Sequence, residues 1–269
     1  MDEILSPEVP QPEPLTIRAL RARCQSTAPA PERETFTGKR ARFFSIYLTR
    51  LFLLTSITPN QITFLSVLVF FCGVGAFLLQ QQTWAIVGAC LVFFATVLDG
   101  CDGEVSRFRK LNSTVGALYS EPVSHDIQYG FMFIPLGLAA TLERGTIWPL
   151  FFAFLAGSFK SVARLIESRH WTLLHSNITQ EEIKVLRQAY KDRPWYLRLI
   201  SWTKRNIWTS NGLILPLLLA AIFDRLDWYV YFYGVTFALL WALIFARQLM
   251  TLPKVTVQTD VKSVPGSSE

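Results

Sequence analysis

The chain has 269 residues, of which 51% are hydrophobic, 14% aromatic and only 17% charged. Soluble globular domains carry about 25% charged residues, and disordered chains lack this apolar and aromatic content, so both classes are disfavoured. The four cysteines are scattered without a paired spacing, which argues against a disulfide framework or a zinc site, and the net charge is +6.

The N-terminal residues 1–38 are rich in Pro, Glu and Arg. We expect a flexible cytosolic tail, with a short basic helix from Leu15 to Cys24. Residues 39–57 then mix arginines with aromatic and leucine side chains at helical spacing. This pattern predicts an amphipathic helix in the membrane interface, with its arginines toward lipid phosphates. The alternative is a helix packed against the bundle.

Six further stretches are long and apolar enough to cross a hydrocarbon core of about 30 Å. They are residues 61–80, 84–106, 115–142, 146–166, 210–224 and 227–250. The fifth is short, and Pro216 inside it is expected to bend or break the helix. The sequence therefore predicts an all-α, polytopic bundle of six transmembrane helices in residues 58–252. A cytosolic C-terminal tail, residues 253–269, follows.

Lysine and arginine are concentrated in alternate connections between these spans. Eight precede span one, three follow span two and eight lie in residues 167–209. The connection after span one holds no lysine or arginine, and the connections after spans three and five hold one each. An excess of Lys and Arg marks cytosolic loops, so both termini are predicted to face the cytosol. Attraction to anionic lipid headgroups explains the same charges, so we expect a lipid bilayer as partner and no nucleic acid.

Residues 98–126 contain ionisable side chains within and beside an apolar span, which is typical of a functional site. Asp99 and Asp102 lie near the cytosolic end of span two, where each carboxylate costs about 2.5–3.5 kcal/mol on insertion scales. Because residues i and i+3 share a helix face, the two carboxylates project together. A hard divalent cation would relieve their repulsion, and oxygen ligands favour Mg²⁺, Mn²⁺ or Ca²⁺ over zinc. Arg107 lies on nearly the same face, where it can hold a phosphate.

A second polar group is predicted to meet the first inside the membrane. At 1.5 Å per residue, Asp99 lies about 12 Å inward of Arg107. Counted along span three from its start at residue 115, Glu121 lies about 9 Å inward, His125 about 15 Å and Asp126 about 17 Å. The two sets therefore reach similar depths, and the alternative is polar contact between packed helices.

This stretch resembles the signature of the CDP-alcohol phosphotransferase family, DxxDGxxAR followed after about eight residues by GxxxDxxxD. Asp99, Asp102, Gly103 and Arg107 match the first half, and Ser106 stands where the family has Ala. Residues 48–66 also look like the family's approach to its first span. The resemblance covers roughly residues 40–170, and it implies a six-span architecture.

The second half of the signature departs from the family. Counting strictly from Gly116, the third and fourth aspartates fall on Ser120 and Ser124. A shift of one residue puts Ala117 at the glycine position, Glu121 at the third aspartate and His125 at the fourth. We favour the shifted alignment. The strict count would instead imply a catalytically silent member that acts as a membrane binding or assembly subunit.

The resemblance implies transfer of a phosphoalcohol group from a CDP-alcohol to an acceptor hydroxyl, with release of CMP, in phospholipid-type synthesis. It implies Mg²⁺ or Mn²⁺, as two ions, and a homodimer is possible because dimers are common in the family. The implied roles are metal ligation by Asp99, Asp102 and Glu121; donor binding by Gly103, Ser106, Arg107, Asn60 and Thr63; and catalysis by His125, with Asp126 in reserve.

The acceptor site is indicated only by two basic residues of span four. Lys160 and Arg164 are four apart and share a helix face, where they could hold an acceptor phosphate. The alternative is that both side chains extend to the membrane interface to reach water.

Overall fold

The computed structural model describes residues 16–25, 35–111, 121–177 and 194–251. These residues are mostly helical, and no strand occurs among them, so the predicted all-helical class is confirmed. The helices are α1 (Ile17–Cys24), α2 (Phe36–Leu53), α3 (Pro59–Ala76), α4 (Gln82–Phe108), α5 (Glu121–Phe131), α6 (Phe133–Arg144), α7 (Trp148–Asn177), α8 (Trp195–Trp208), α9 (Ile214–Ile222) and α10 (Leu226–Thr251).

Four helical segments of the described residues are long and apolar enough to cross a membrane. They are Pro59–Leu79, Gln82–Phe108, Trp148–Ile166 and Leu226–Arg247, with a shorter apolar segment at Ser210–Ile222. The four long segments coincide with the predicted spans one, two, four and six, and the shorter segment coincides with span five.

The third predicted span is interrupted. Helix α5 ends at Phe131 and α6 begins at Phe133, although Met132 between them keeps helical dihedral angles. Pro135 has no N–H to donate to the carbonyl of Phe131, which explains a break at this point. Residues 115–120 of this predicted span lie outside the described residues.

Pro216 does not break the fifth helix. It is the third residue of α9, in the first turn, where a backbone N–H has no partner within the helix. A short 3₁₀ turn, Ser210–Gly212, precedes α9.

Glycines allow neighbouring helices to pack at very short range. A Cβ added at Gly73 of α3 would lie 2.8 Å from the carbonyl oxygen of Gly88 in α4. A Cβ added at Gly157 of α7 would lie 2.7 Å from the carbonyl oxygen of Gly130 in α5. Small residues at such crossings are typical of membrane helix packing.

Helix α2 has its apolar side outside. It begins at Phe36, three residues before the predicted start at 39, and Thr35 caps it by accepting a hydrogen bond from the backbone N–H of Gly38. Phe43, Tyr47 and Leu51 are exposed at helical spacing, whereas the opposite face, with Ser45 and Thr49, is fully buried.

Helix α1 is packed against the bundle. It covers Ile17–Cys24, close to the predicted basic helix, and it buries Leu20 and Cys24 against Ile46 of α2. The described part of the predicted tail is therefore held in place by packing.

Candidate active site

Helix α4 brings the first half of the motif to a cavity of about 400 Å³. Asp99, Asp102, Gly103 and Arg107 line it, as does His125 of α5. We call this the carboxylate cavity. On α4, Asp102 and Gly103 follow Asp99 by three and four residues, and Arg107 follows Gly103 by four, so these positions share a face of the helix, as predicted.

Asp99 has one paired and one unpaired oxygen. Its Oδ2 lies 2.9 Å from Nε2 of His125, so α4 and α5 meet at the level that the helix rise predicts. Its Oδ1 is buried and has no hydrogen-bond partner among the described residues. A buried acceptor without a partner costs about 1–3 kcal/mol, and more when it is charged. This oxygen is therefore placed to bind a cation.

Asp102 is buried and its oxygens receive local hydrogen bonds. The Thr63 hydroxyl on α3 donates to Oδ2, and the backbone N–H of Gly103 donates to Oδ1. Thr63 does not line the carboxylate cavity, so it contacts the carboxylate rather than the open space. Asn60 is exposed on the first turn of α3 and lines neither cavity.

Arg107 occupies the space beside Gly103, the glycine that the family resemblance assigns to donor binding. A Cβ at Gly103 would lie 3.0 Å from Nη1 of Arg107, so the guanidinium lies over this glycine. The Nε of Arg107 donates to the backbone carbonyl of Cys24 at 2.6 Å. The hydroxyl of Ser106 instead donates to the carbonyl of Leu111 and supports the turn after α4.

The residues aligned with the second half of the family signature are only partly described by the structure. Glu121 begins α5, but its side chain lies outside the described set, as do Gly116, Ala117 and Ser120. Ser124 is buried and lines neither cavity. The ring of His125 packs edge-on against Tyr129 at 5.9 Å.

Glu104 was missed by the sequence reasoning. It is 1% exposed, and its carboxylate accepts hydrogen bonds from Gln25, Ser45 and Thr49 at 2.6–2.7 Å. The available signal was a third acidic side chain in an apolar helix, which must find partners when the helix enters a membrane.

A second cavity, of about 280 Å³, is basic. Lys160 and Arg164 of α7 line it with Lys204 and Arg205 of α8, and Phe237 of α10 forms part of its apolar wall. We call this the basic cavity. Lys204 and Arg205 were not predicted, because they lie in a long segment in which basic residues are common.

Lys160 and Arg164 of this cavity also contact other protein groups. Lys160 is buried, donates to the carbonyl of Trp208 at 3.0 Å and lies 5.2 Å from the centre of the Phe237 ring. Its burial disfavours the alternative of a side chain extended to the membrane interface. Arg164 donates to Asp126 at 2.8 Å, which places Asp126 on the basic side and outside both cavities.

The two cavities adjoin. Thr35, His125 and Asn211 line both. His125 is thus placed between a carboxylate-lined space and a cation-lined space. An imidazole at such a boundary can take a proton from a group bound on one side while it contacts a carboxylate on the other.

Comparison with known proteins gives one family. The family model described as CDP-alcohol phosphatidyltransferase matches residues 56–190, half of the chain. This range contains the motif residues of α4, the described part of α5, and Lys160 and Arg164. No curated protein matches the chain.

Proposed function

Because the chain belongs to the CDP-alcohol phosphatidyltransferase family, we propose that it transfers a phosphoalcohol group from a CDP-alcohol to an acceptor hydroxyl and releases CMP. The observation that carries the proposal is the position of His125 between the two cavities. The donor would bind on the carboxylate side and the acceptor on the basic side. The product is of the phospholipid type.

The carboxylate cavity fits a divalent cation, which the family generally uses. The unpaired, buried Oδ1 of Asp99 supports this fit, as does the oxygen-only donor set. Asp99, Asp102 and Glu121 would hold Mg²⁺ or Mn²⁺, as two ions. The bound metal would neutralise charge on the pyrophosphate of the donor.

The protein side chains supply the remaining steps. Arg107 binds an oxygen of the donor pyrophosphate, and Gly103 leaves room for the guanidinium. Thr63 orients Asp102, while Asn60 and Ser106 stay outside the reacting region. His125 accepts the proton of the acceptor hydroxyl as the new oxygen–phosphorus bond forms. The phosphorus–oxygen bond to CMP breaks in the same transfer, and CMP leaves as the anion.

The basic cavity favours an acceptor that carries phosphate, such as a polyol phosphate. Four cationic side chains around a space of about 280 Å³ are more charge than a neutral alcohol requires. Lys160 and Arg164 would contact this phosphate together with Lys204. Asp126 would orient Arg164, rather than act as the base.

We further propose six membrane crossings, with both termini and the active site facing the cytosol. The interrupted α5–α6 segment and the short α9 would supply the two crossings beyond the four long segments. The exposed aromatic face of α2 supports a helix in the interface, as does the loop charge pattern. The domain limits 1–38, 39–57, 58–252 and 253–269 and the homodimer belong to the same proposal.

The test is CMP release by the purified full-length protein in lipid nanodiscs. CDP-diacylglycerol, CDP-choline and CDP-ethanolamine would each be offered with Mg²⁺ or Mn²⁺. Glycerol phosphate and inositol phosphate would be compared with glycerol and inositol as acceptors. We expect metal-dependent CMP release that is greater with the phosphorylated acceptors. Release that persists in EDTA would contradict the proposal.

The second candidate, a catalytically silent binding subunit, is favoured only by Ser120 and Ser124. Measurable CDP-alcohol binding without any CMP release would support it. The double substitution Ser120→Asp and Ser124→Asp distinguishes the two alignments, because activity should rise only if the strict count is correct. The contact between His125 and Asp99 favours the shifted alignment.

A further inference from the structure

Helix α1 is attached to the end of α4 that carries Arg107. Arg23 donates to the carbonyl of Phe108 at 2.9 Å, and its guanidinium lies 4.5 Å from the centre of the Phe108 ring. Leu20 and Cys24 are 1% and 0% exposed. The helix lies upstream of residues 56–190, the part matched by the family model.

The end of α1 fixes the guanidinium of Arg107. The carbonyl of Cys24 accepts from Nε, while the Nη1 end extends over Gly103 in the carboxylate cavity. An arginine held at Nε keeps its planar group in one orientation, so less side-chain entropy is lost when a phosphate binds.

Glu104 ties this arrangement to the body of the protein. The amide of Gln25, next to Cys24, donates to Glu104 at 2.7 Å and to the carbonyl of Arg42 at 2.9 Å. Ser45 and Thr49 of α2 donate to the same carboxylate. Because Glu104 is three residues from Arg107 on α4, Gln25 sets where the Cys24 carbonyl lies relative to the guanidinium.

We propose that α1 is a positioning clamp, in which Gln25 and the Cys24 carbonyl orient Arg107 toward the donor pyrophosphate. The inference rests on the proposed role of Arg107 in the transferase. It deepens that role by assigning two positioning groups outside the family motif. By linkage, a pyrophosphate bound to Arg107 stabilises the docked state of α1 to the extent that docking strengthens binding.

The first experiment measures docking through Cys24. Its thiol is buried, and burial, with a further contribution from Glu104, raises its pKa above the usual value, so maleimide should react slowly. The full-length protein would carry Cys72→Ala and Cys90→Ala, which remove the two exposed cysteines. Labelling of the peptide that contains Cys24 would be followed by mass spectrometry, with and without CDP and Mg²⁺.

We expect CDP to slow labelling of Cys24 several-fold. In Arg107→Lys, which keeps the charge but lacks Nε, saturating CDP should leave the labelling rate unchanged. CDP that binds the wild type without slowing its labelling would overturn the clamp alone. Failure of CDP to bind the wild type would overturn the proposed function, and the clamp with it.

The second experiment separates positioning from stability. Gln25→Ala should weaken CDP binding and raise the donor KM about tenfold, the value of one hydrogen bond to a charged group, with kcat nearly unchanged. Gln25→Lys can still donate to Glu104 and should restore most of the affinity. Arg18→Ala, an exposed position on the same helix, is the matched control. Equal donor KM values in wild type and Gln25→Ala would overturn the proposal.

Discussion

The two cavities differ in charge and in how the chain builds them. One helix, α4, supplies Asp99, Asp102 and Arg107 of the carboxylate cavity within nine residues. The basic cavity takes its cations from α7 and α8, and the nearest two in the sequence, Arg164 and Lys204, are 40 positions apart. A short motif can reveal the first kind of site, whereas only the fold assembles the second.

The difference in charge also assigns opposite ligands to the two sides. A carboxylate with a buried, unpaired oxygen is stabilised by a cation, and a group of lysines and arginines by an anion. His125 touches both cavities, so substitutions on either side should give distinct kinetic signatures.

The largest effect is expected on the carboxylate side. Asp102→Asn should lower metal-dependent CMP release by at least about 10³-fold, because the neutral amide cannot hold the cation or orient charge as the carboxylate does. Glu143→Gln, a carboxylate near Arg144 outside both cavities, is the control. Turnover of Asp102→Asn near the wild-type rate would contradict the proposal that the carboxylate cavity binds the cation through Asp102.

A substitution at the boundary should act on the chemical step. His125→Ala should lower kcat by about 10²–10⁴-fold, the usual contribution of a general base, while CDP affinity stays within about twofold. The measurement is kcat from CMP release, combined with CDP binding by calorimetry. Asp126→Ala should have a much smaller effect on kcat, because Asp126 pairs with Arg164. Parallel losses of kcat and CDP affinity in His125→Ala would indicate a structural role instead.

On the basic side we expect an effect on the acceptor alone. Arg164→Gln and Lys204→Gln should each raise the acceptor KM about tenfold or more, because each removes one charge-assisted hydrogen bond to the phosphate. Donor KM should change little. Arg198→Gln, on α8 but outside the basic cavity, is the matched control for Lys204→Gln. An increase in donor KM of the same size would show that the two cavities bind one ligand.

The smallest effect is expected from a methyl group. Gly103→Ala places a Cβ 3.0 Å from the guanidinium of Arg107, whose flexible end must move. An off-rotamer side chain costs about 0.5–1.5 kcal/mol, so donor KM should rise about two- to tenfold. Gly75→Ala, where an added Cβ meets nothing within 4 Å, should leave the donor KM unchanged. If Gly103→Ala and the wild type had the same donor KM, the proposed role of Arg107 in donor binding would be contradicted.

The sequence predicts the helical class and the α4 face because both follow from local periodicity and spacing. It also predicts the meeting of Asp99 and His125, since rise per residue fixes depth along two helices. Glu104 was overlooked because its partners, Gln25, Ser45 and Thr49, lie far upstream. The docking of α1 likewise depends on contacts between distant segments, and no local pattern encodes these.

Two of the close glycine crossings make stiff units of two helix pairs, α3 with α4 and α5 with α7. At Gly73–Gly88 the backbones of α3 and α4 have no room for a methyl group, so these helices cannot slide past each other without a clash. The Gly130–Gly157 crossing joins α5 to α7 in the same way. Asp99 and Asp102 belong to the first unit, whereas His125 and Arg164 belong to the second. A movement that separated Asp99 from His125 would therefore have to carry each pair of helices as one piece.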